Sequence, residues 1–328
     1  MPRNAEQKIK LLVLYDILLR ETDEEHPLST DEIVEKLCKR GINIARKVLP
    51  GDIELLNKYG FEVLSYKKRS YYYYVAYRKF DVAELRILID AIQAANFIPE
   101  AHTIDLAKRL AGLAGTHSAE EMGRRFVCYD TVKKNNGNIF YYTDKIECAI
   151  EDRKKVSFRY FSLNYKGEKV FRREGRRYIV NPVVLVCDND NYYLVCYDDK
   201  HEGTANYRLD RMDELAEEDT PITEREKSRD FNQHIYRRQS FSMYAGEPTD
   251  VYLIVEEPLV EEMFDKFGMN IKLIPLGDGG KYRLAVFVQV SLAFFRWAAG
   301  SLGKIRIDGP TQVSEEFARF IEQLKSSY

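Results

Sequence analysis

The side chains in this sequence best suited to chemistry are cations, and many of them lie in one segment. Between residues 36 and 80, eleven Lys or Arg residues stand against three acidic residues, whereas the net charge of the whole chain is −2. Lys and Arg side chains that contact phosphates release counterions, which supplies most of the sequence-independent affinity for DNA. Such a cluster can also be a merely solvated surface. Its meaning therefore depends on the elements that carry it.

A second cationic cluster lies between residues 166 and 177, where six Lys or Arg residues accompany two acidic residues. Tyrosines flank it on both sides, and Arg208 and Arg211 follow. A guanidinium group binds phosphate and an aromatic ring stacks on a base, so this combination favours a nucleotide or oligonucleotide ligand. The alternative is that the tyrosines pack on strand faces and that Arg211 pairs with Asp210 or Asp213. The flanking tyrosines are Tyr160, Tyr178, Tyr192, Tyr193 and Tyr207.

Patterns typical of catalysis, metal binding or cofactor binding are scarce. The five histidines are widely spaced, and Gly277-Asp278-Gly279-Gly280 has the form of a hairpin turn rather than a phosphate-binding loop. We therefore expect no enzyme activity, no cofactor and no metal. The five cysteines form no C-x-x-C pair, which is typical of a reducing compartment. No signal sequence and no apolar run of ~20 residues is present, so we expect a cytoplasmic protein without a membrane span.

The elements that carry the first cluster follow a helix, helix, hairpin order. After an apolar helix over 7–20, Ser29 and Glu32 have the spacing of a capping box and open a helix that ends near Gly41. The next helical stretch covers 42–60, where Pro50 suits a first turn. Strands follow on both sides of the turn KKRS. This order predicts a winged helix-turn-helix, in which the DNA-binding candidates are Arg46 and Lys47 at the start of the recognition helix and Lys67, Lys68 and Arg69 at the wing tip.

The remaining segments predict further helices and further strands. Residues 81–126 are helical in pattern throughout, and five short β-rich runs over 155–212 favour a small barrel. An acidic stretch over 213–230 is interpreted as a linker. The C-terminal part has the order β-α-β-β-α-β of a ferredoxin-like fold. The expected fold class is therefore α+β and multidomain.

Four short motifs in the β-rich segment resemble the WYL family of bacterial regulators, which carries an Sm/SH3-like barrel. The motifs are SFRY at 157–160, NPVVLV at 181–186, the triplet Tyr192-Tyr193-Leu194 in place of Trp-Tyr-Leu, and YRLDRM at 207–212. DIELLNKYGFEV at 52–63 is similar to the family's helix-turn-helix, and FFRWAAGSLG followed by IDGP is similar to its C-terminal extension.

The resemblance implies a homodimeric transcription regulator whose barrel binds a nucleic-acid-type or small effector. Carried over by position, the implied effector-binding residues are Ser157, Tyr160, Arg177, Tyr193, Arg208 and Arg211, although Arg172, Arg173 or Arg176 could take the place of Arg177. One departure concerns the recognition helix. Relatives have a hydroxyl side chain, Tyr and Arg where this chain has Val48, Pro50 and Gly51, so three phosphate-contacting groups are missing.

These observations predict a division of the chain and a function. The expected domains are a winged helix-turn-helix over 1–80, a helical linker over 81–142, a WYL barrel over 143–218, a linker over 219–248 and a ferredoxin-like extension over 249–328. The expected function is a ligand-responsive regulator that binds DNA and a nucleotide or oligonucleotide effector. The alternative is an accessory protein that binds RNA, single-stranded nucleic acid or a partner protein without operator recognition.

Overall fold

The protein forms two compact units, Met1–Asn135 and Asn136–Tyr328. The computed structural model describes residues 3–124, 133, 137–199, 204–223, 236, 239–244, 246–277 and 279–327. Both units contain helices, and β-strands in both are arranged in antiparallel sheets. The expected α+β class with more than one compact unit is confirmed.

The first unit begins with three helices and a small antiparallel sheet. The helices are α1 (Arg3–Glu21), α2 (Thr30–Lys39) and α3 (Leu49–Lys58), and the strands are β1 (Leu28–Ser29), β2 (Leu64–Lys67) and β3 (Tyr71–Tyr74). The strand order is β1-β3-β2. The side chains of Leu14, Ile17, Ile33, Leu37 and Leu49 are fully buried in the shared core. Each such side chain contributes about 1.5–3 kcal/mol by leaving water.

Local sequence signals set the starts of α2 and α3. Ser29 accepts a hydrogen bond from the Glu32 backbone N–H, and the Glu32 carboxylate accepts one from the Ser29 backbone N–H, so the predicted capping box is confirmed. A short 3-10 turn, Arg46–Val48, leads into α3, and Pro50 lies in the first turn of that helix. Proline is tolerated there because the first N–H groups of a helix have no intrahelical acceptor.

Three separate helices lie in the segment over 81–126 that the sequence predicts to be helical. They are α4 (Val82–Ala94), α5 (Glu100–Gly112) and α6 (Thr116–Arg124). Pro99 precedes α5, and Gly115, with a φ of 87°, precedes α6. Proline limits its preceding residue to extended conformations and a positive φ favours glycine, which explains the two interruptions.

The second unit opens with α7 (Ile139–Glu151) and a curled six-stranded antiparallel sheet. Its strands are β4 (Lys154–Leu163), β5 (Lys169–Phe171), β6 (Tyr178–Asp188), β7 (Asn191–Tyr197), β8 (Thr204–Arg208) and β9 (Met212–Pro221). The path runs β5-β4-β6-β7-β8, and β9 also pairs with β4. Because β4 pairs with three strands, the sheet curls around it.

The expected linker over 213–230 is wrong for residues 213–221, which belong to β9. The acidic side chains of this segment meet cations on β4 and β5. Lys154 donates to Glu217, Arg159 donates to Glu214, and the Lys169 ammonium lies 3.5 Å from the Asp213 carboxylate. Complementary charges across a strand pair stabilise the pairing, whereas the acidic composition alone suggested a solvated loop. Half of the linker expected over 219–248 lies outside the described residues.

The C-terminal part of the second unit is a four-stranded antiparallel sheet with three helices. The elements are β10 (Glu247–Glu256), α8 (Val260–Phe267), β11 (Ile274–Pro275), β12 (Lys281–Val290), α9 (Leu292–Gly300), β13 (Ile305–Gly309) and α10 (Thr311–Ser326). The strands lie in the order β11-β12-β10-β13. Val251, Leu253 and Val255 alternate along β10 and are fully buried together with Phe294 of α9.

Asp199, just beyond β7, connects three strands and gives the second unit a specific pH dependence. Its carboxylate accepts hydrogen bonds from the Lys155 ammonium of β4 at 2.6 Å and from the Asn181 amide of β6 at 2.8 Å. The Lys155 hydrogen bond, followed by that of Asn181, lowers the pKa of Asp199 to about 2. A depressed folded-state pKa contributes stability above the unfolded value of 3.8 and loses it as pH falls towards 2.

We therefore expect Asp199→Asn to destabilise the protein at pH 6 and to matter progressively less as the pH falls through about 3. Urea denaturation of the natural sequence and of Asp199→Asn, at pH 6 and at a pH of about 3, measures the difference between their free energies of unfolding. Asp105→Asn is the matched control, since Asp105 is largely exposed and its ion-pair partner among the described residues is Arg109, at 3.7 Å. A difference in the free energy of unfolding between the natural sequence and Asp199→Asn that is the same at both pH values would contradict this account.

Candidate functional site

The five DNA-binding candidates of the first unit lie at two places on its surface. Arg46 and Lys47 lie on the 3-10 turn directly before α3, and the other three lie at the end of β2 and the tip of the β2–β3 hairpin. All five are exposed. Arg46 is paired with Asp31 at 2.7 Å. No described carboxylate lies within 4.0 Å of the remaining four, which are Lys47, Lys67, Lys68 and Arg69.

Other cations of the 36–80 segment make internal contacts. Lys36 and Arg40 pair with acids of α1, and Lys39 pairs with Glu35 on its own helix. The Arg78 guanidinium donates to the Leu19, Thr22 and Val75 carbonyl oxygens at 2.5–3.2 Å. The accessible positive surface is therefore smaller than the charge count of the sequence implies, and it is concentrated at the start of α3 and at the hairpin tip.

The effector-binding candidates of the second unit are divided between the two faces of β4. Successive side chains of a strand point to opposite faces. Tyr160 faces a group of aromatic rings, whereas Ser157 faces Arg177. The structure therefore places Tyr160 on one face of β4, and Ser157 with Arg177 and Arg211 on the other. Tyr193 and Arg208 are cross-strand partners on β7 and β8, and the Arg208 backbone N–H reaches the Tyr160 hydroxyl.

Four rings on the first face form a compact group, termed here the aromatic cluster: Phe158, Tyr160, Tyr178 and Tyr207. Phe158 is fully buried and its ring is parallel to that of Tyr178, with centroids 5.7 Å apart. Tyr207 meets the other three edge to face at 5.1–5.3 Å. Such geometries are favoured because the positive ring edge faces a negative ring face.

Two arginines cover the outer side of the aromatic cluster. The Arg172 guanidinium lies 5.4 Å from the Tyr160 ring centroid, and that of Arg173 lies 4.2 Å from the Tyr178 centroid. The turn Arg172–Gly175 positions them, and Arg173 and Glu174 in it have φ values of 51° and 57°. Left-handed φ values at non-glycine residues store strain and are found often at functional sites. Arg172 also donates to the Ser162 hydroxyl at 3.0 Å.

Arg208, at the end of β8, is held beside the aromatic cluster by an acid. Its guanidinium donates to both carboxylate oxygens of Asp210, at 2.9 and 2.7 Å, and its backbone N–H donates to the Tyr160 hydroxyl at 3.2 Å. The cross-strand partner of Arg208 is Tyr193 of β7. A bidentate pair fixes the orientation of a guanidinium group, so Arg208 is presented in one defined pose.

The protonation states on this face are fixed at neutral pH. Burial raises the pKa of Tyr160, Tyr193 and Tyr207 above the usual value, so their hydroxyl groups stay neutral donors. The hydrogen bond to Asp210 raises the pKa of Arg208, which stays charged. The face thus combines neutral rings with positive guanidinium groups, a combination that suits stacking and anion binding.

Three candidates on the other face make contacts within the fold. Arg177 donates to the Ser157 hydroxyl at 2.7 and 3.0 Å, to the Ser157 carbonyl oxygen at 3.0 Å and to the Glu214 carbonyl oxygen at 2.7 Å. Ser157 is fully buried. The Arg211 guanidinium lies 5.9 Å from the Phe161 ring centroid. Arg177 thus links β6 to β4 and β9, and its position is that of a structural contact.

Residue types alone did not identify the full set of side chains around Tyr160. Arg172 and Arg173 were considered only as substitutes for Arg177, and Phe158 and Asp210 were not assigned to the site. A signal was present: the segment Arg172-Arg173-Glu174-Gly175 between two strands can form a turn that projects both arginine side chains to one face. Pairing of Arg211 with Asp210 or Asp213 was the alternative expectation, but Asp210 accepts both hydrogen bonds from Arg208, and Asp213 lies 3.5 Å from the Lys169 ammonium.

Comparison with known proteins gives a match to a family and weak likenesses to solved structures, among them the following two. The chain is similar over 98% of its length to proteasome accessory factor B/C (PafBC) of Arthrobacter aurescens, with 18% identity and a TM-score of 0.28, and covers 49% of that chain. It is similar over 99% of its length to a CRISPR Cas-related protein, with 15% identity and a TM-score of 0.35, and covers 86% of that chain. No curated protein sequence gives a significant match.

None of the helices in the described part of the chain combines the length and the apolar character that a membrane crossing needs.

The family model of the WYL domain matches residues 142–217. These residues include most of α7, all of β4 to β8 and most of β9, together with the aromatic cluster and Arg208. The chain therefore contains a WYL domain at residues 142–217.

Proposed function

We propose that the protein is a non-catalytic transcription regulator that binds DNA through its first unit and an effector through its WYL domain. The observation that carries the proposal is the placement of the exposed cations Lys47, Lys67, Lys68 and Arg69, without a described ion-pair partner, at the start of α3 and at the hairpin tip. In a winged helix-turn-helix these are the places where a recognition helix and a wing meet the duplex.

The finer architecture belongs to the same proposal. The helices α2 and α3 followed by the β2–β3 hairpin have the order of a winged helix-turn-helix. The curled sheet of the WYL domain is of the Sm/SH3-like type. The C-terminal sheet places its four strands, numbered along the chain, in the order 2-3-1-4, which supports a ferredoxin-like extension. We propose the domain boundaries at residues 80, 142, 218 and 248 on the same basis, and a cytoplasmic homodimer.

The effector we propose is a nucleotide or an oligonucleotide. The supporting contacts are the rings of Tyr160 and Tyr178, the two guanidinium groups above them, and the fixed guanidinium of Arg208. Phosphate binds guanidinium groups and a base stacks on an aromatic ring or on a guanidinium plane. Effector binding would then change the arrangement of the DNA-binding parts of a dimer.

Binding to the protein's own promoter region tests the DNA half of the proposal. Fluorescence anisotropy with a labelled promoter duplex at ~50 mM and ~200 mM salt is expected to show a fall in affinity of about a hundredfold or more, since each phosphate contact releases counterions. A scrambled duplex of the same length reports the sequence-independent part. Absence of any salt-dependent binding to either duplex would reject DNA binding by this protein.

One observation favours the alternative, an accessory protein that binds RNA, single-stranded nucleic acid or a partner protein without operator recognition. The start of α3 presents the exposed side chain of Val48, just before the helix, and that of Pro50 with the bare backbone of Gly51 in its first turn. None of these has a side-chain hydrogen-bond donor. The alternative predicts that Arg208→Ala with Arg211→Ala abolishes ligand binding, while Arg46→Ala changes nothing. The leading proposal predicts weaker duplex binding for Arg46→Ala.

A further inference from the structure

The solvent side of the β2–β3 hairpin carries a row of aromatic rings that phosphate binding does not explain. Tyr66 and Tyr72 are direct cross-strand partners, and Leu64 is the partner of Tyr74. These four side chains lie on the face opposite Tyr73, which is buried in the core of the first unit. Tyr66, Tyr72 and Tyr74, termed here the tyrosine ladder, remain partly exposed.

The tyrosine ladder is ordered by its own ring contacts. The rings of Tyr66 and Tyr72 are nearly parallel, at 15°, with centroids 5.6 Å apart, and Tyr74 meets Tyr66 edge to face at 6.4 Å. The Lys68 ammonium lies 5.2 Å from the Tyr66 ring centroid. Ordered rings beside a cation form a surface that loses little conformational entropy when a flat ligand stacks on it.

The charge around the tyrosine ladder identifies the class of partner. From residue 63 to residue 80 the sequence contains no acidic residue and five cations. Three of these, Lys67, Lys68 and Arg69, follow one another at the hairpin tip beside the ladder. A symmetric contact with a second copy through this face would bring the two sets of cations together, which costs free energy by like-charge repulsion. A polyanion with flat rings satisfies both the cations and the aromatic faces.

We propose that the tyrosine ladder binds the unpaired bases of a single-stranded nucleic acid, while Lys67, Lys68 and Arg69 bind its phosphates. Base pairs in a duplex are stacked on one another and offer no free ring face at the wing, whereas a single strand offers one per base. Aromatic stacking on bases is tolerant of sequence, so the site would accept strands of varied composition. This inference does not depend on operator binding by α3 or on effector binding by the WYL domain.

Oligonucleotides with and without bases separate stacking from charge. Anisotropy of the full chain is measured with a labelled twelve-nucleotide thymidine strand and with an abasic strand that carries the same phosphates. Since stacking contributes ~1–3 kcal/mol per base and 1.4 kcal/mol is tenfold, we expect the thymidine strand to bind about tenfold more tightly or better. Equal affinities for the two strands would overturn the proposal without any variant being made.

Variants then locate the site, and each of them also carries Arg208→Ala, which weakens the proposed effector site of the WYL domain. Tyr66→Leu with Tyr72→Leu removes the rings but keeps apolar side chains, and is expected to abolish the preference for the thymidine strand. Tyr66→Phe with Tyr72→Phe keeps the rings and should keep the preference. Tyr59→Leu is the matched control, because Tyr59 is 72% exposed and lies outside the tyrosine ladder. If the double leucine protein melts early, Tyr72→Leu alone is measured, and a retained preference in a folded variant overturns the proposal.

Two further measurements test whether single-strand binding takes place in the WYL domain and whether the tyrosine ladder is instead a contact between copies of the chain. Arg208→Ala weakens the proposed effector site of the WYL domain, so a preference that persists in this variant belongs to the hairpin. Complete loss of the preference in Arg208→Ala would place single-strand binding in the WYL domain and overturn the assignment to the hairpin. Sedimentation of the double leucine variant should match that of the natural sequence. A change in oligomeric state with unchanged strand binding would show that the tyrosine ladder is an interface between copies, which also overturns the proposal.

Discussion

Replacing Lys10 by Met is expected to lower the free energy of unfolding of the first unit by about 3–5 kcal/mol. The Lys10 ammonium of α1 donates to Asp52 of α3 at 2.7 Å, and both side chains are about nine-tenths buried. The second Asp52 oxygen is buried without a hydrogen-bond partner among the described residues. Removing the lysine therefore leaves a buried carboxylate with no compensating charge. The same contact sets the position of α3, which carries the proposed recognition surface.

Urea denaturation followed by circular dichroism measures this effect. Lys39→Met is the matched control, since the Lys39–Glu35 pair is largely exposed and such pairs contribute about 0–1 kcal/mol. Lys10→Met combined with Asp52→Leu should recover most of the stability, because both buried charges are then absent. A Lys10→Met protein as stable as the Lys39→Met protein would contradict the role assigned to the pair.

Replacing Phe158 by Ala is the second change with a large expected effect, about 3–5 kcal/mol on the second unit. Phe158 is fully buried and contacts the other three rings of the aromatic cluster at centroid distances of 5.1–6.2 Å. Its loss leaves a cavity beneath the rings on which Arg172 and Arg173 lie. We therefore expect ligand binding to weaken although no cation has been removed.

Thermal denaturation of Phe158→Ala measures the loss of stability, and titration of the same preparation with a nucleotide or oligonucleotide measures the loss of ligand binding. Tyr165→Ala serves as the control, because Tyr165 lies in the β4–β5 turn and is 91% exposed. Phe158→Leu fills part of the space and should lose less stability than Phe158→Ala. If Phe158→Ala unfolds at the same temperature as the control, the aromatic cluster is not a packed support for the site.

The sequence was most informative where a local physical rule decides the structure. The capping box at Ser29, the proline in the first turn of α3 and the cations at a hairpin tip are each set by neighbouring residues, and each could be predicted. The motifs around Tyr193 and Arg208 likewise predicted the WYL domain that the family match supports. These features depend on contacts within a few residues or on short motifs.

The missed features depend on contacts between distant residues. The acidic residues of β9 were interpreted as part of a linker because their cationic partners lie on β4, about 55–63 positions earlier. Arg177 was grouped with Tyr160, although strand alternation and its contact with Ser157 place it on the other face. The covering of the aromatic cluster by Arg172 and Arg173 depends on a left-handed turn that non-glycine residues rarely adopt.

The salt dependence of duplex binding tests the central claim most directly. The slope of log affinity against log salt is measured for the natural sequence and for the variant K47A/K67A/K68A/R69A on the same promoter duplex. Each phosphate contact contributes about 0.9 to this slope, so the slope of the variant should be shallower by about 3 to 4. Equal slopes for two folded proteins, or duplex binding that salt does not weaken, would contradict DNA binding through the start of α3 and the hairpin tip.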